Sequence, residues 1–185
     1  LKYKPDYAEA YNNMGLTLKD MGELDAAIES LKQAIKINPD FEDAYSNLGH
    51  TLKGVAFSRP IPDLIEIILD LLNRQYYVRP IDVSRAGISL LKFLPEIDQL
   101  LKNSSLENSK QFLDQSLLAI AEAPLLLQLM SICPLADIEL EVLLTKIRSS
   151  LLSFVSTISA SPKLLRFQSA LALQCFTNEY IYNQT

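Results

Sequence analysis

The sequence predicts an all-α protein, in which the stacked helical hairpins of an α-solenoid are followed by a helical, bundle-like region. Residues 5–19 recur as residues 39–53, 34 positions later. Apolar side chains recur at helical spacing along most of the chain, and no segment shows the sustained alternation of a β-strand. A 34-residue period built from two short amphipathic helices indicates hairpins that bury their apolar faces against neighbouring hairpins.

Composition narrows the classes of partner. The 185 residues are enough for one large or two small domains, and a hydrophobic share of 49% excludes a disordered chain. The net charge is −5 and the basic residues are scattered, so no nucleic-acid partner is expected. The longest strongly apolar stretch, residues 123–133, is shorter than the ~20 residues that span a bilayer, so no membrane partner is expected.

The cysteines do not suggest a metal site. Cys133 and Cys175 have no His or Cys beside them, and the chain contains 1 His. Because zinc usually takes four such ligands, no metal or cofactor is expected, and both thiols are interpreted as buried apolar groups. The first residues lead directly into repeat sequence without a signal peptide, so a cytoplasmic location is expected by default.

The first complete repeat, residues 8–37, is predicted to form two helices. Gly15 lies in the apolar stripe of the first helix and lets the second helix approach closely, and Gly49 recurs at the same phase. Gly22 suits the left-handed conformation that follows a helix end. The packing face of the second helix consists of Ala26, Ala27, Ile28, Leu31, Ala34 and Ile35. Asn38-Pro39-Asp40 then ends this helix and begins the next repeat.

These positions resemble the consensus of the tetratricopeptide (TPR) repeat. The residues that carry the resemblance are Tyr11, Gly15, Ala27, Ala34 and Pro39. The resemblance covers about residues 1–54 and looks most like the TPR arrays attached to glycosyl- and methyltransferases. It implies a scaffold that binds protein or peptide partners, and it says little about which ligand is bound.

In TPR proteins the first helices of successive repeats line a concave face. The resemblance therefore implies a peptide-binding face here that presents Asn12, Asn13, Leu16, Lys19, Asn47 and His50. Asn13 and Asn47 match the position at which some relatives carry asparagines that grip a peptide backbone, and an amide offers a donor and an acceptor together. The alternative is that these asparagines satisfy local helix groups or face solvent. His50 has no nucleophile near it, so no catalytic residue is expected.

The repeat pattern stops after the helix that begins near Phe41. Pro60 and Pro62 forbid a continuous helix through residues 57–62. A fresh helix is predicted over residues 63–72, with Asp63 as its cap, and we expect it to cover the open end of the repeats. Domains are therefore predicted at residues 1–54 and 55–185, the second being an all-helical capping or linker domain.

Six more helical segments are predicted in the second domain. They cover residues 82–94, 95–102, 106–123, 125–132, 137–159 and 163–182. Asp137, Glu139 and Glu141 crowd one helix start, where the helix dipole favours anions, so they are interpreted as stabilising that start and not as a paired acid/base site. Arg79 and Arg85 are open to an acidic ligand, although salt bridges to nearby carboxylates are the favoured interpretation.

Residues 55–185 carry a second resemblance. Residues 79–86, 140–148 and 171–180 resemble a linker region of bacterial proteins that join a TPR array to an S-adenosylmethionine-dependent methyltransferase domain. The 5 glycines of this chain are isolated, so the Gly-rich cofactor loop of such a domain is not present in it. Residues 1–3 also look like the end of a preceding second helix, so the chain is interpreted as a piece of a larger protein.

The sequence therefore predicts a non-catalytic interaction scaffold whose TPR groove binds peptide segments of a partner or substrate protein. The alternative is a non-catalytic fragment of a TPR-containing methyltransferase, or of another transferase, that presents substrate to a missing carboxy-terminal domain. Both alternatives use the same peptide-binding groove. They differ in whether a transferase domain follows it in the parent protein.

Overall fold

The structure is a computed structural model that describes residues 5–74, 77–103, 114, 116, 117, 120, 123–153 and 165–172. All regular structure among these residues is helical, which confirms the all-α prediction. The helices are α1 Pro5–Asp20, α2 Leu24–Ile37, α3 Glu42–Leu52, α4 Pro62–Asn73, α5 Pro80–Leu91, α6 Pro95–Asn103, α7 Pro124–Ile132 and α8 Ile138–Ser153, and residues 165–172 are also helical. None of the described helices is long and apolar enough to cross a membrane.

The chain divides into two compact units. The first comprises Leu1–Ala56 with Ile61–Ala86, and the second comprises Phe57–Pro60 with Gly87–Thr185. The first unit contains α1 to α4 and the beginning of α5, and the second contains the end of α5 with α6, α7 and α8. Each unit has its own set of fully buried aliphatic side chains.

The first two helices form the closely packed hairpin that the glycine pattern predicts. A Cβ atom added to Gly15 would lie 2.7 Å from Cγ of Leu31 and 3.2 Å from the carbonyl oxygen of Ala27. Both α2 residues are completely buried. The predicted role of Gly15 is confirmed, because only a residue without a side chain permits this approach.

The turn between these helices is a Schellman motif. Gly22 has a φ of +82°, as predicted for a residue in the left-handed region. The N–H of Glu23 donates to the carbonyl of Leu18 at 2.9 Å, and the N–H of Gly22 donates to the carbonyl of Lys19 at 3.0 Å. These two bonds satisfy carbonyl groups that the end of α1 would otherwise leave unpaired.

The third helix packs against α2 and, less extensively, against α1. It therefore continues the solenoid for one more helix. Along α3, Ala44, Leu48 and Leu52 are completely buried. Helix α2 contacts both α1 and α3, and its buried residues are Ala27, Ile28, Ser30, Leu31, Lys32, Ala34 and Ile35. Ala26, predicted to lie on the packing face, is exposed.

The repeat departs from its own pattern at Gly49. A Cβ atom added there would lie 2.8 Å from Cβ and from Cγ2 of Val78, which belongs to the connection between α4 and α5. In the first repeat the equivalent space is filled by Leu31 of the following helix. The α4–α5 connection thus occupies the place that a second repeat helix takes beside Gly15.

Tyr45 anchors this connection to α3. Its ring stacks on Tyr77, with centroids 5.9 Å apart and planes 16° apart, and the guanidinium carbon of Arg74 lies 4.9 Å from its centroid. Burial, together with a hydrogen bond to Asp70, raises the pKa of the Tyr45 phenol, so the hydroxyl stays protonated and donates to that carboxylate. The whole cluster lies within the first unit.

The start of α4 differs from the prediction that Asp63 caps it. The helix begins at Pro62, Ile61 is the N-cap residue, and no side chain caps the first turn by a hydrogen bond. Proline has no N–H to donate and its fixed φ suits the first helical position, so Pro62 starts the helix one residue earlier than predicted. Leu64, Ile68, Leu71 and Leu72 are buried, and their spacing places them on one face of α4.

The second unit is built on the packing of α6 against α8. Leu140, Leu143, Leu144 and Ile147 of α8 are completely buried at helical spacing, and Leu151 is half-buried. The apolar helix α7 buries Leu125, Leu126, Leu127, Leu129 and Met130. Most of the helix predicted over residues 106–123 lies outside the described residues, as do residues 154–159 and both ends of the helix predicted over 163–182.

Candidate functional site

The predicted peptide-binding residues lie on α1 and α3, and we call their surface the α1–α3 face. Asn12 is buried, with 6% of its surface exposed. Leu16, Lys19 and Asn47 are half-buried. Asn13 and His50 are exposed. The face thus combines one enclosed amide with polar side chains that solvent reaches.

Asn12 and Asn47 are joined directly. The side-chain nitrogen Nδ2 of Asn47 donates to Oδ1 of Asn12 over 2.9 Å, which links α1 to α3. Among the described residues, Nδ2 of Asn12 and Oδ1 of Asn47 make no further hydrogen bond. Among the described residues, the fully buried side-chain polar atom that lacks a hydrogen-bond partner is Nε of Arg148. Nδ2 of Asn12, which also lacks a partner, is therefore not fully buried. One donor and one acceptor therefore stay available beside each other.

The two asparagines that share a repeat position have different surroundings. Asn13 makes no side-chain hydrogen bond with a described residue, and its carbonyl oxygen accepts a bond of 3.0 Å from Oγ1 of Thr17. Asn47 bonds instead to Asn12, one position away from its repeat equivalent. This pairing requires α1 and α3 to lie side by side, and the repetition of asparagine in the sequence does not by itself indicate it.

The basic residues along the α1–α3 face are also unequal. Lys19 makes no ion pair with any described residue. Lys53, its repeat equivalent, lies 3.6 Å from Asp82 at the start of α5. Arg79 binds the same carboxylate through two nitrogens, at 2.9 and 3.1 Å, and holds the pKa of Asp82 below its ordinary value. The predicted salt bridge of Arg79 is confirmed, and Lys19 is the cation available on the face.

The acidic residues at the start of α8 are engaged in ion pairs and in the start of the helix. Asp137 accepts a hydrogen bond of 3.1 Å from the backbone N–H of Leu140, which confirms its predicted role at the helix start. Lys92 lies 2.6 Å from Asp137 and 2.6 Å from Glu139. Glu141 pairs with Arg148 at 3.0 Å. Asp137 and Glu139 therefore share one lysine and Glu141 has its own arginine, as in structural ion pairs.

A concave region lies in the second unit, between α6 and α8. It encloses about 830 Å³ and is lined by Lys92, Phe93, Asp98, Leu101, Lys102, Ile138, Glu139 and Val142. The charged side chains around it pair with one another, since Lys102 binds Asp98 and Lys92 binds Glu139. Apolar side chains therefore line part of this region, and the charges of both lysines are paired with carboxylates.

Cys133 follows its predicted role as a buried apolar group. Burial raises the pKa of its thiol to about 11, and the sulfur donates to the carbonyl of Leu129 at 3.4 Å. A thiol in that state is mostly protonated near neutral pH and a poor metal ligand. Across the described part of the chain, no group of three or more His, Cys, Asp or Glu side chains is placed to hold a metal ion. Cys175 lies outside the described residues.

Comparison with protein families bears on the part of the chain that forms this face. Residues 17–54 match the family model of the TPR repeat. The TPR segment includes the end of α1 and the whole of α2 and α3. No curated protein and no solved structure matches the chain. TPR repeats generally mediate protein–protein interaction, and the helical hairpin and the α3 helix stacked upon it are the architecture of such a repeat.

Proposed function

We propose that this protein is an interaction scaffold whose α1–α3 face binds an extended peptide segment of a partner protein. The TPR match supports the general role, and the geometry of the face supports the kind of ligand. The bound segment is recognised mainly through its backbone, because the most enclosed polar groups of the face are amides. We assign the binding to Asn12, Asn13, Leu16, Lys19, Asn47 and His50.

The observation that carries this proposal is the Asn12–Asn47 hydrogen bond. It holds the two amides in a fixed relation and leaves Nδ2 of one and Oδ1 of the other for a ligand. A peptide group presents the complementary pair, a carbonyl acceptor and an N–H donor. If both side-chain amides are turned over, the bond between them is kept and one donor and one acceptor are again left. The match to a peptide backbone is therefore independent of amide orientation.

The surroundings of the pair suit an extended segment. Leu16 is half-buried on the same helix and offers an apolar contact between the polar positions. Lys19 lies about two turns beyond Asn12, so it contributes a positive charge at one end of the face. A segment bound along α1 would thus place its backbone at the amides and an acidic group, or its terminal carboxylate, near Lys19.

Random-peptide display against the intact chain, followed by affinity measurement on the selected peptides, tests this proposal. Replacing Asn13 and Asn47 together by Ala is expected to weaken binding by about ten- to thirtyfold, since two hydrogen bonds of about 1 kcal/mol each are lost. Methylation of single backbone nitrogens of the peptide is expected to weaken binding similarly at one or two positions.

Asn73→Ala provides the matched control, because Asn73 is exposed at the end of α4 in the same unit. This control should change affinity by less than about twofold, as surface substitutions usually do. Equal affinities of the double variant and the intact chain, with unchanged helicity by circular dichroism, would remove these asparagines from the site. Selected peptides that tolerate every backbone methylation would contradict recognition of the backbone.

The alternative function is presentation of substrate to a methyltransferase or other transferase domain of the same parent protein. It rests on the sequence resemblance of residues 55–185 to the linker of TPR–methyltransferase proteins. In this case the peptide selected by the α1–α3 face is itself a substrate. Sequencing the parent reading frame separates the two, because a strand followed by a Gly-rich loop downstream would favour the transferase.

A further inference from the structure

The exposed side of α8 carries a line of side chains at the spacing of a coiled-coil seam. It consists of Ile138, Val142, Thr145, Ser149 and Leu152, which we call the α8 seam. Steps of four and three residues alternate along it, so the line stays on one side of the helix. All of its residues are exposed, and the exposed fraction is 83% for Ile138, 47% for Val142 and 79% for Leu152. Large apolar side chains aligned in this way indicate a surface for association more than scattered exposure does.

The two ends of the α8 seam differ in shape. Ile138 and Val142, at its start, line the concave region between α6 and α8, to which Phe93 and Leu101 add apolar surface. Leu152, at its end, is a projecting apolar side chain. Ile138 and Leu152 lie about 21 Å apart along the helix axis, at the usual rise of an α-helix. A hollow and a projecting leucine therefore occupy opposite ends of one helix face.

The charges beside the α8 seam also differ between its ends. Asp137 and Glu139 share Lys92, so two carboxylates at the start of α8 are paired with one ammonium group. Glu139 keeps 69% of its side chain exposed, so a second cation can reach it. Lys146 lies two helical turns after Glu139, on the same flank of the seam, and makes no ion pair with a described residue. The start of α8 thus has an excess of negative charge, and the flank further along offers a positive charge.

From these observations we infer that the α8 seam is the interface of a homodimer, in which two copies of α8 pack antiparallel about a two-fold axis. The antiparallel direction brings the start of each seam to the end of the other. Lys146 then approaches Glu139 of the partner subunit, and Leu152 enters the concave region of that subunit. An interface with two-fold symmetry makes every such contact twice, so both hollows and both acidic helix starts are used. The occupant of this surface is therefore a second copy of the chain.

The middle of the α8 seam fits the same arrangement. In an antiparallel pair with this spacing, Val142 lies across from Thr145 of the partner subunit, and Ile138 lies across from Ser149 of the partner subunit. Each layer thus joins a larger apolar side chain to a short one, which lets the two helices approach closely. Parallel packing would instead place the two acidic helix starts side by side and would leave each hollow without a leucine.

Sedimentation equilibrium of the intact chain tests this inference. One helix face on each copy is a small interface, so we expect a dissociation constant of about 10–100 µM. The chain should therefore change from monomer to dimer between about 1 µM and 1 mM at low ionic strength. A mass that stays monomeric over this range, or that rises beyond the dimer, would overturn the inference.

Leu152→Ser is expected to weaken dimerisation at least about tenfold, because it withdraws a large apolar side chain from each hollow. Met21→Ser is the matched control, since Met21 is an apolar side chain of similar exposure, at 69%, in the first unit. It should change the dissociation constant by less than about twofold. Both residues are exposed in the monomer, so circular dichroism should show unchanged helix. Equal effects of the two substitutions on dimerisation would place the interface elsewhere and overturn the inference.

A charge reversal tests the antiparallel direction. Lys146→Glu and Glu139→Lys should each weaken dimerisation about tenfold at low salt, because two attractions between the subunits become repulsions. The double variant Glu139→Lys/Lys146→Glu reverses both members of each pair and keeps the net charge of −5. Its dissociation constant should return to within about threefold of that of the unsubstituted chain. Single variants without effect, or a double variant without recovery, would contradict the antiparallel pairing.

Discussion

Gly15 is the residue on which the first hairpin most depends. A β-carbon there would meet Cγ of Leu31, a branched interior atom, and the backbone oxygen of Ala27. Neither atom is the end of a flexible side chain, so neither can move away cheaply. The gain in helix propensity from replacing a glycine, about 1 kcal/mol at most, is smaller than this steric cost.

Gly15→Val is therefore expected to lower the free energy of unfolding of the first unit by about 2–3 kcal/mol. Urea denaturation followed by circular dichroism measures the change. Thr17→Val is the control, because it places the same side chain on the exposed side of the same helix and should stay within about 0.5 kcal/mol of the intact protein. Equal losses for the two variants would contradict the assigned packing.

Cys133 makes a prediction about pH. The pKa of its thiol rises from an ordinary 9.0 to about 11 because the thiolate is disfavoured by burial. The folded state therefore holds its proton more tightly than the unfolded state, and its contribution to stability is complete below pH 9 and is lost as the pH rises towards 11. Cys133→Ala should flatten this decline, measured as the free energy of unfolding at several pH values. Parallel declines in both proteins would refute it.

At this scale the sequence is informative where one residue type has one physical use. Gly15 and Gly22 could be assigned from spacing, because close approach and positive φ both call for glycine. Asn12 could not be paired with Asn47 from spacing, since asparagine accepts many partners and these two are 35 positions apart instead of the repeat's 34. The peptide-binding role of all six residues of the α1–α3 face stays a prediction.

The beginnings of the helices show how proline acts on whole elements. Pro62, Pro80, Pro95 and Pro124 are each the first residue of a helix, as is Pro5. Helices α4, α5 and α7 therefore start one or two residues earlier than the sequence predicts, because in each the proline is itself the first helical residue. Proline fits the first helical position because that residue's N–H has no partner within the helix.

Lys92 connects the end of α5 to the start of α8. Partial burial lowers the pKa of its ammonium group, but hydrogen bonds to Asp137 and Glu139 more than offset this, and the pKa lies above its ordinary value. The ion pair therefore persists across neutral pH and weakens as the pH rises through the raised pKa. Since Asp137 is also largely enclosed, removing its cation would leave a poorly solvated carboxylate.

Lys92→Met is expected to reduce the free energy of unfolding of the second unit by about 1–3 kcal/mol, the cost of an enclosed charge without its partner. Lys102→Met is the matched control, because the bridge of Lys102 to Asp98 joins two exposed side chains. Such a bridge contributes at most about 1 kcal/mol and is screened by salt. Chemical denaturation at low and high salt compares the two variants, and a larger loss for Lys102→Met would count against this assignment.

The division into two units predicts how the molecule responds as a whole. Hydrogen exchange measured by mass spectrometry should show that Gly15→Val lowers protection in α2 and α3, while Lys92→Met lowers protection in α6 and α8. Each substitution acts first on the contacts of its own unit, which open together. Equal loss of protection in both units from either substitution would indicate a single cooperative body.

The all-helical class and the first hairpin could be predicted because the same pattern of packing residues occurs twice in the sequence, 34 positions apart. The contact of Val78 with Gly49 could not, because Val78 is separated from α3 by a further helix and has no counterpart in the first repeat. The repeat period predicts a second repeat helix after α3. Only the tertiary structure shows which residues pack in the place of that helix. The placement of residues beyond α3 therefore had to come from the structure.

The contact between Gly49 and Val78 also bears on any attempt to lengthen this protein by design. Splicing consensus repeats behind Leu52 would bring a new helix to a space that Val78 already fills. The segment from Phe57 to Val78 would have to be deleted or moved before an added repeat helix could pack beside Gly49.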